Sequence, residues 1–140
     1  MMILETLITG LLVVLLMKLW QRHIKRKEIW VIEDSDSDIM LLKINLQLDD
    51  YDVRYFKSIK GLQFKVVISP PDAVICDYML SDNINGDQVR KFFLRNHIPV
   101  ILTTGYDGDI KGVPKDAIIH KSNGTKFYRD VEQWVYKATT

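Results

Sequence analysis

The sequence places carboxylate, hydroxyl and ammonium side chains at the ends of four short apolar runs. They are Glu33 and Asp34, Asp77, Thr104, and Lys121. Crowded carboxylates repel one another, and a hard divalent cation with oxygen ligands, above all Mg²⁺, relieves that repulsion. A carboxylate nucleophile, a cation, a lysine and a hydroxyl are together sufficient to form an aspartyl phosphate. These residue types therefore predict Mg²⁺-assisted phosphoryl transfer, provided that the fold brings them together.

Five short apolar runs alternate with longer mixed segments from residue 28 onward. The runs are 29–32, 53–56, 73–76, 100–102 and 117–119. They are too short for helices, and most are continuously apolar, as is typical of strands buried on both faces of a parallel sheet. The run 53–56 alternates with polar residues, which predicts an edge strand.

Four segments between and after these runs are candidate helices. They are 36–48, 58–67, 87–95 and 125–137. The later part of the segment 36–48 also alternates between apolar and polar residues, as a strand does. The segment 58–67 has a weaker helical pattern. Strands that alternate with helices predict a doubly wound α/β sheet with right-handed crossovers. Ligands of such sheets bind outside the carboxyl ends of the strands, and the polar residues named above follow those ends.

The first 21 residues have a different composition from the rest. Leu, Val and Ile dominate, and 7–17 is free of charge. About 20 apolar residues in a helix cross a bilayer, so 1–21 is predicted to be a transmembrane helix. A signal peptide would have its basic segment before the apolar run, and a soluble amphipathic helix would have one apolar stripe. Here the basic segment, 22–27, comes afterwards, which predicts a single-pass inner-membrane protein with residues 28–140 in the cytoplasm.

Composition excludes several classes of site. Cys76 is the only cysteine, so neither a disulfide scaffold nor a cysteine-based zinc site is expected. The net charge is +1, which gives no overall field that would favour nucleic acid. We therefore expect one cytoplasmic domain over 28–140 and no nucleic-acid partner.

The segment 28–137 resembles the response-regulator receiver domains of two-component signalling. The resemblance depends on the order and placement of four motifs. They are Ile-Trp-Val-Ile-Glu33-Asp34, Ala-Val-Ile-Cys-Asp77-Tyr-Met-Leu, Pro99-Val-Ile-Leu-Thr-Thr104-Gly105 and Ile-Ile-His-Lys121. It implies a flavodoxin-like five-stranded parallel sheet in the order 2-1-3-4-5.

The resemblance also implies roles for the site residues. Asp77 would be the phosphoacceptor, and Asp34 would ligate Mg²⁺ directly. Glu33 would lie near the metal or contact it through water, and the backbone carbonyl of Met79 would be a further metal ligand. Besides accepting the phosphoryl group, Asp77 would also ligate the metal.

In the same way, Thr104 would bind the phosphoryl oxygen as a switch residue and Lys121 would pair with the carboxylate and then with the phosphate. The donor would be a histidine kinase or a histidine phosphotransfer protein. The family often has an aromatic residue where Ile118 stands and Pro where Ser122 stands. The segment 106–115 is broken by glycine and proline, so the fourth helix is expected to be degenerate.

Two alternatives stay open. A degenerate receiver would keep the fold and act as a membrane adaptor without being phosphorylated. A haloacid-dehalogenase-like phosphatase would use Asp34 as nucleophile and Asp36 as acid. The receiver interpretation predicts a signalling domain with only self-phosphotransfer and self-dephosphorylation, not an enzyme with a separate substrate.

Overall fold

The computed structural model describes residues 1–81 and 83–140, with the backbone alone at 22–24. The helices are α1 (Met2–Ile24), α2 (Asp36–Asn45), α3 (Leu62–Ile68), α4 (Gly86–Arg95) and α5 (Thr125–Thr139). The strands are β1 (Lys27–Ile32), β2 (Tyr51–Phe56), β3 (Ala73–Asp77), β4 (Val100–Thr104) and β5 (Ile118–His120). Side chains of the predicted basic segment at 22–24 lie outside the described residues.

The strands form one parallel sheet in the order β2-β1-β3-β4-β5, which confirms the predicted doubly wound α/β fold. Strand β2 lies at an edge, as its alternating pattern predicted. Parallel neighbours need a crossover, and helices α2 to α4 supply the first three. All five strands therefore end at the same edge of the sheet.

Two apolar layers enclose this sheet because alternate residues of a strand face opposite sides. Ile29 and Val31 of β1 face the layer formed by α2 and α5, where Val131 and Val135 are fully buried. Trp30 faces the other layer, formed by α3 and α4. That layer includes Ile32, Leu62, Val66, Val74, Val89, Phe93 and Leu102. The domain thus has a core of its own on each side of the sheet.

Two of the predicted helix boundaries within residues 28–140 are wrong by three or more residues. Helix α2 ends at Asn45 rather than at residue 48, and Leu46 turns to an extended backbone. Leu46 and Leu48 are both buried, so their alternation marks a buried connection rather than more helix. Helix α3 begins at Leu62 rather than at residue 58, because Gly61 has φ +79°, a left-handed conformation that does not continue a helix.

The connection between β4 and β5 contains one 3₁₀ turn, Lys115–Ala117, and no α-helix within 105–117. The expectation that the segment 106–115, where the family has its fourth helix, is degenerate is therefore confirmed. Ala117 belongs to this turn, so β5 begins at Ile118, one residue later than the sequence predicted.

Helix α1 stands apart from the sheet. Its segment Met2–Gln21 has a mean hydropathy of 2.1, and none of its most apolar window is buried against the rest of the described chain. It is therefore long and apolar enough to cross a membrane. The connection from α1 to β1 consists of residues 25–26.

Candidate functional site

The strand register brings the polar residues to one edge of the sheet. Asp77, at the end of β3, pairs with Thr103 of β4, and Thr104 pairs with His120 of β5. Glu33 comes directly after β1, the neighbour of β3, and its amide donates to the Phe56 carbonyl at 3.0 Å. The carboxyl ends of four adjacent strands therefore meet at one rim.

Three carboxylates converge at this rim. One oxygen from each of Glu33, Asp34 and Asp77 lies within 4.8 Å of the others. Glu33 and Asp77 are buried, whereas Asp34 is half-buried. Two of them accept hydrogen bonds from backbone amides. The Ser81 amide donates to Asp34 Oδ2 at 2.8 Å, and the Ser35 amide donates to Glu33 Oε1 at 3.1 Å. An all-oxygen donor set of this kind fits a hard cation such as Mg²⁺.

Lys121 is the cation that the described chain itself places among these carboxylates. Its Nζ lies 3.0 Å from Glu33 Oε2, 3.0 Å from Asp38 Oδ2 and 3.5 Å from Asp77 Oδ1. Lys121 opens a 3₁₀ turn, Lys121–Asn123, immediately after β5. The end of β5 thus fixes the lysine at the rim.

Burial and charge shift the pKa of each of these groups. Burial, with help from neighbouring Asp77, raises the pKa of Glu33 to about 7. Burial also raises the pKa of Asp77, although the Lys121 charge opposes this shift. The surrounding carboxylates raise the pKa of Lys121, overcoming its own burial. At neutral pH the site therefore combines one lysine cation with carboxylates that are costly to ionise together, an arrangement that a bound dication would relieve.

The loop after Asp77 packs tightly against the strand end. Its backbone amide at Met79 donates to Asp77 Oδ1 at 3.4 Å, and Met79 forms an antiparallel bridge with Asn85. The Gly86 amide donates to the Tyr78 carbonyl at 2.7 Å. A Cβ on Gly86 would lie 2.6 Å from the Asp77 carbonyl oxygen, so only glycine fits there. Met79 thus lies beside the carboxylates, and the role of its carbonyl stays a prediction.

Thr104 and the loop after it form the other wall of the site. Thr104 is buried, and its Oγ1 accepts a hydrogen bond from the Tyr106 amide at 3.1 Å. His120 Nδ1 lies 2.7 Å from the Tyr106 carbonyl oxygen. An open cleft in front of them is lined by Asp38, Asp77, Thr104 and Lys121 among others. A phosphoryl-sized group in this cleft would lie next to the carboxylate, the hydroxyl and the ammonium groups.

Sequence reasoning misses three residues of the site. The sequence pattern indicates Asp38, which pairs with Lys121, only as a charge that favours the start of a helix. Ser35 caps α2 by accepting from the Asp38 amide at 3.3 Å, and this cap sets where Asp38 lies. In the sequence, a serine followed three residues later by an aspartate is the pattern that could have predicted this cap. Ser81 acts through its backbone amide, which its residue type does not indicate, and Gly86 acts by lacking a side chain, a requirement that appears only once the Asp77 carbonyl is seen beside it.

Comparison with known proteins identifies the fold. No protein-family model matches the sequence, and no curated protein matches it. Solved structures do match. A response regulator receiver domain protein from Clostridium thermocellum is 23% identical, with a TM-score of 0.62, over 81% of this chain and 94% of that one.

Two further solved structures give the same result. The receiver domain of the Francisella response regulator 1452 is 16% identical, with a TM-score of 0.62, over 81% of this chain and 99% of that one. The PhyR response regulator REC domain of Erythrobacter litoralis is 22% identical, with a TM-score of 0.60, over 79% of this chain and 90% of that one. The chain therefore has the fold of response-regulator receiver domains.

Proposed function

We propose that this protein is a membrane-tethered, single-domain receiver that accepts a phosphoryl group on Asp77 in a Mg²⁺-dependent phosphorelay. It would then signal through contacts with a protein partner. The observation that carries the proposal is the position of Asp77, which lies within 4.8 Å of Glu33 and Asp34 and 3.5 Å from the Lys121 ammonium. The receiver-domain fold supports it independently.

Transfer to Asp77 would be an in-line displacement at phosphorus. A carboxylate oxygen of Asp77 forms the new P–O bond while the bond between phosphorus and the donor breaks. With a phosphohistidine donor that is a P–N bond, and the departing imidazole takes up a proton. Such reactions depend on positioning and on stabilising the equatorial oxygens, because the protein does little covalent chemistry beyond supplying the nucleophile.

The chain supplies the groups that would stabilise those oxygens. Lys121 already lies among the carboxylates and would interact with the phosphoryl oxygens once they arrive. The Thr104 hydroxyl, now accepting from Tyr106, would donate to another phosphoryl oxygen. Glu33, Asp34, Asp77 and the Met79 carbonyl would hold Mg²⁺, which neutralises charge that develops on the phosphoryl group.

The proposed donor is a histidine kinase or a histidine phosphotransfer protein, as the receiver fold implies. The proposed tether is α1, which is long and apolar enough to span a bilayer. The basic residues at 22–27 would remain on the cytoplasmic side and keep the receiver domain there. The protein would thus be a single-pass protein of the inner membrane.

The phosphatase alternative has weaker support. A second catalytic carboxylate at Asp36 would have to lie beside Asp34 in the cleft. The Asp36 side chain is instead 81% exposed and paired with Lys57. Asp38, not Asp36, shares the lysine with Glu33. The non-phosphorylated adaptor remains the outcome if the following assay fails.

The proposal is tested by incubating the full-length protein in detergent with Mg²⁺ and a small-molecule phosphodonor such as acetyl phosphate. Intact-mass spectrometry should show one added phosphoryl group. Asp77→Asn and chelation of Mg²⁺ should each abolish it, whereas Asp36→Asn should retain it. Absence of an adduct on the wild-type protein, or an adduct that persists in Asp77→Asn, would reject the proposal.

A further inference from the structure

Helix α3 carries three large apolar side chains on the face turned away from the sheet. Leu62 and Val66 pack into the core, whereas Phe64, Val67 and Ile68 are 77%, 81% and 83% exposed. Spacings of three and four residues place these three on one side of the helix. They form one apolar surface, which we call the α3 patch. Contiguous exposed apolar surfaces of this kind mark sites of interaction.

The end of α3 lies near the point where the chain leaves α1. Asp72 follows α3 by four residues, and its amide donates to the Glu28 carbonyl at 2.8 Å. The Glu28 amide donates in turn to Asp72 Oδ2 at 2.7 Å. Glu28 is four residues beyond the end of α1 at Ile24. Four residues span at most about 14 Å, so a membrane crossed by α1 lies close to the start of β1 and to the loop that follows α3.

Two lysines near α3 lie toward the Asp77 rim rather than toward α1. Lys60 precedes the helix and Lys65 lies within it, and both are exposed. The Lys65 Nζ lies 5.0 Å from the centre of the Phe56 ring. Phe56 ends β2 at the rim edge of the sheet, so these lysines lie toward the rim, and the Ile68 end of the patch is the end nearer α1.

The acceptor site lies at the other end of the strands. Strand β1 begins three residues after the end of α1 and has six residues, which is roughly 20 Å in length. Glu33, Asp34 and Asp77 lie at its far end and at the far end of β3. A membrane contact near the amino ends of the strands would therefore leave this rim accessible from the cytoplasm.

We infer that the α3 patch docks onto the bilayer that α1 crosses. The docked patch would fix the orientation of the receiver domain relative to the bilayer. The inference rests on the proposed membrane tether. It commits to the lipid surface because α1 brings that surface within four residues of Glu28, which pairs with Asp72 in the loop after α3.

The test uses the full-length protein in vesicles of phosphatidylethanolamine and phosphatidylglycerol that contain nitroxide-labelled lipid. The native Cys76 is fully buried, so single cysteines introduced at the surface can be labelled with a fluorophore. Ile68→Cys tests the α3 patch. Met40→Cys is the matched control, since Met40 is a similarly exposed apolar residue, on a helix of the other sheet face. The label at position 68 should lose most of its fluorescence to the lipid nitroxide, whereas the label at 40 should retain it.

A second variant guards against effects of the label itself. In V67E/I68E, which leaves Leu62 and Val66 in place, a label at Phe64→Cys should lose its contact with lipid and become accessible to aqueous iodide. Equal quenching at positions 68 and 40 would overturn the inference. Protection of position 68 from both quenchers, which would indicate a second copy on the patch, would also overturn it.

Vesicle flotation separates this inference from the tether. Protein that floats with the vesicles but shows no lipid contact at position 68 retains the tether and refutes the docking. Protein that fails to float refutes the tether, and the docking inference with it.

Discussion

The ammonium group of Lys121 is closer to Glu33 than to Asp77. Its Nζ lies 3.0 Å from Glu33 Oε2 and 3.5 Å from Asp77 Oδ1. The same ammonium lies 3.0 Å from Asp38, in the first turn of α2. The lysine therefore offsets part of the negative charge of the rim and links α2 to the end of β5.

The first prediction concerns this link. Lys121→Ala removes the cation from two buried carboxylates, and a buried hydrogen-bonding group left unpaired costs about 1–3 kcal/mol, and more when it is charged. We expect the free energy of unfolding of the metal-free domain (residues 25–140) to fall by that amount in urea denaturation. The domain is suitable because α1 buries none of its apolar window against it. Mg²⁺ should restore part of the loss, since it stabilises the same carboxylates.

Lys126→Ala is the matched control. Lys126 pairs with Asp130 at 3.2 Å, but its side chain is 64% exposed, so the pair contributes at most about 1 kcal/mol. Equal stability changes in the two variants would contradict the role assigned to Lys121.

The second prediction concerns pH. Unfolded Glu33 loses its proton near pH 4.5, whereas in the folded protein its pKa is raised to about 7. Between these values the folded state holds a proton that the unfolded state has lost. Stability from this group is therefore complete below pH 4.5 and is lost as pH rises through 7. The slope is at most about 1.4 kcal/mol per pH unit for one proton.

Urea denaturation of the metal-free domain at several pH values between 4.5 and 8 measures this slope. Glu33→Gln carries no titratable group at the position, so its stability should depend less on pH than that of the wild type. Asp77, whose pKa is also raised, contributes in the same direction in both proteins. Parallel stability curves would show that Glu33 does not titrate in this range.

The third prediction concerns Gly86. A Cβ there would meet the Asp77 carbonyl oxygen at 2.6 Å and the Tyr78 Cα at 2.7 Å, and both are backbone atoms that cannot rotate away. We expect Gly86→Ala to destabilise the domain by about 1–3 kcal/mol, as overpacking does, and to reduce phosphorylation of Asp77. Gly105→Ala has open space around its Cβ and serves as the control for stability. A stable Gly86→Ala variant would mean that the loop after β3 adjusts freely.

Much of the fold could be predicted from the sequence, because apolar runs and strand-ending polar residues reflect simple constraints. Five apolar runs predicted the parallel sheet, and its topology placed Asp34, Asp77 and Lys121 at one rim. Helix boundaries were harder to predict. The start of α3 depends on the backbone conformation of Gly61, and the end of α2 depends on where Leu46 and Leu48 are buried.

The details of the site depend on contacts that residue types do not reveal. Asp38 reaches Lys121 because Ser35 caps α2 at that register. Asp34 is held by the backbone of Ser81, a residue whose side chain predicts nothing about the contact. The α3 patch was also not predicted, because apolar residues at 64, 67 and 68 are compatible with either a buried or an exposed helix face.

The fourth prediction concerns α1. Deleting residues 2–21 should move the protein from the membrane fraction to the soluble fraction, since these residues supply the apolar span. Carbonate washing of membranes, which removes peripheral proteins, should leave the full-length chain in the pellet. Full-length protein in the carbonate supernatant would contradict a spanning helix and would favour a surface-bound one.

The central claim is that Asp77 is the phosphoacceptor. Reduction of the phosphorylated protein with borohydride converts an aspartyl phosphate to homoserine, and peptide mass spectrometry then locates the modified residue. We expect homoserine at position 77 and only after treatment with phosphodonor and Mg²⁺. Homoserine at position 34 would instead identify Asp34 as a phosphatase-like nucleophile and would contradict the assignment of Asp77 as the acceptor.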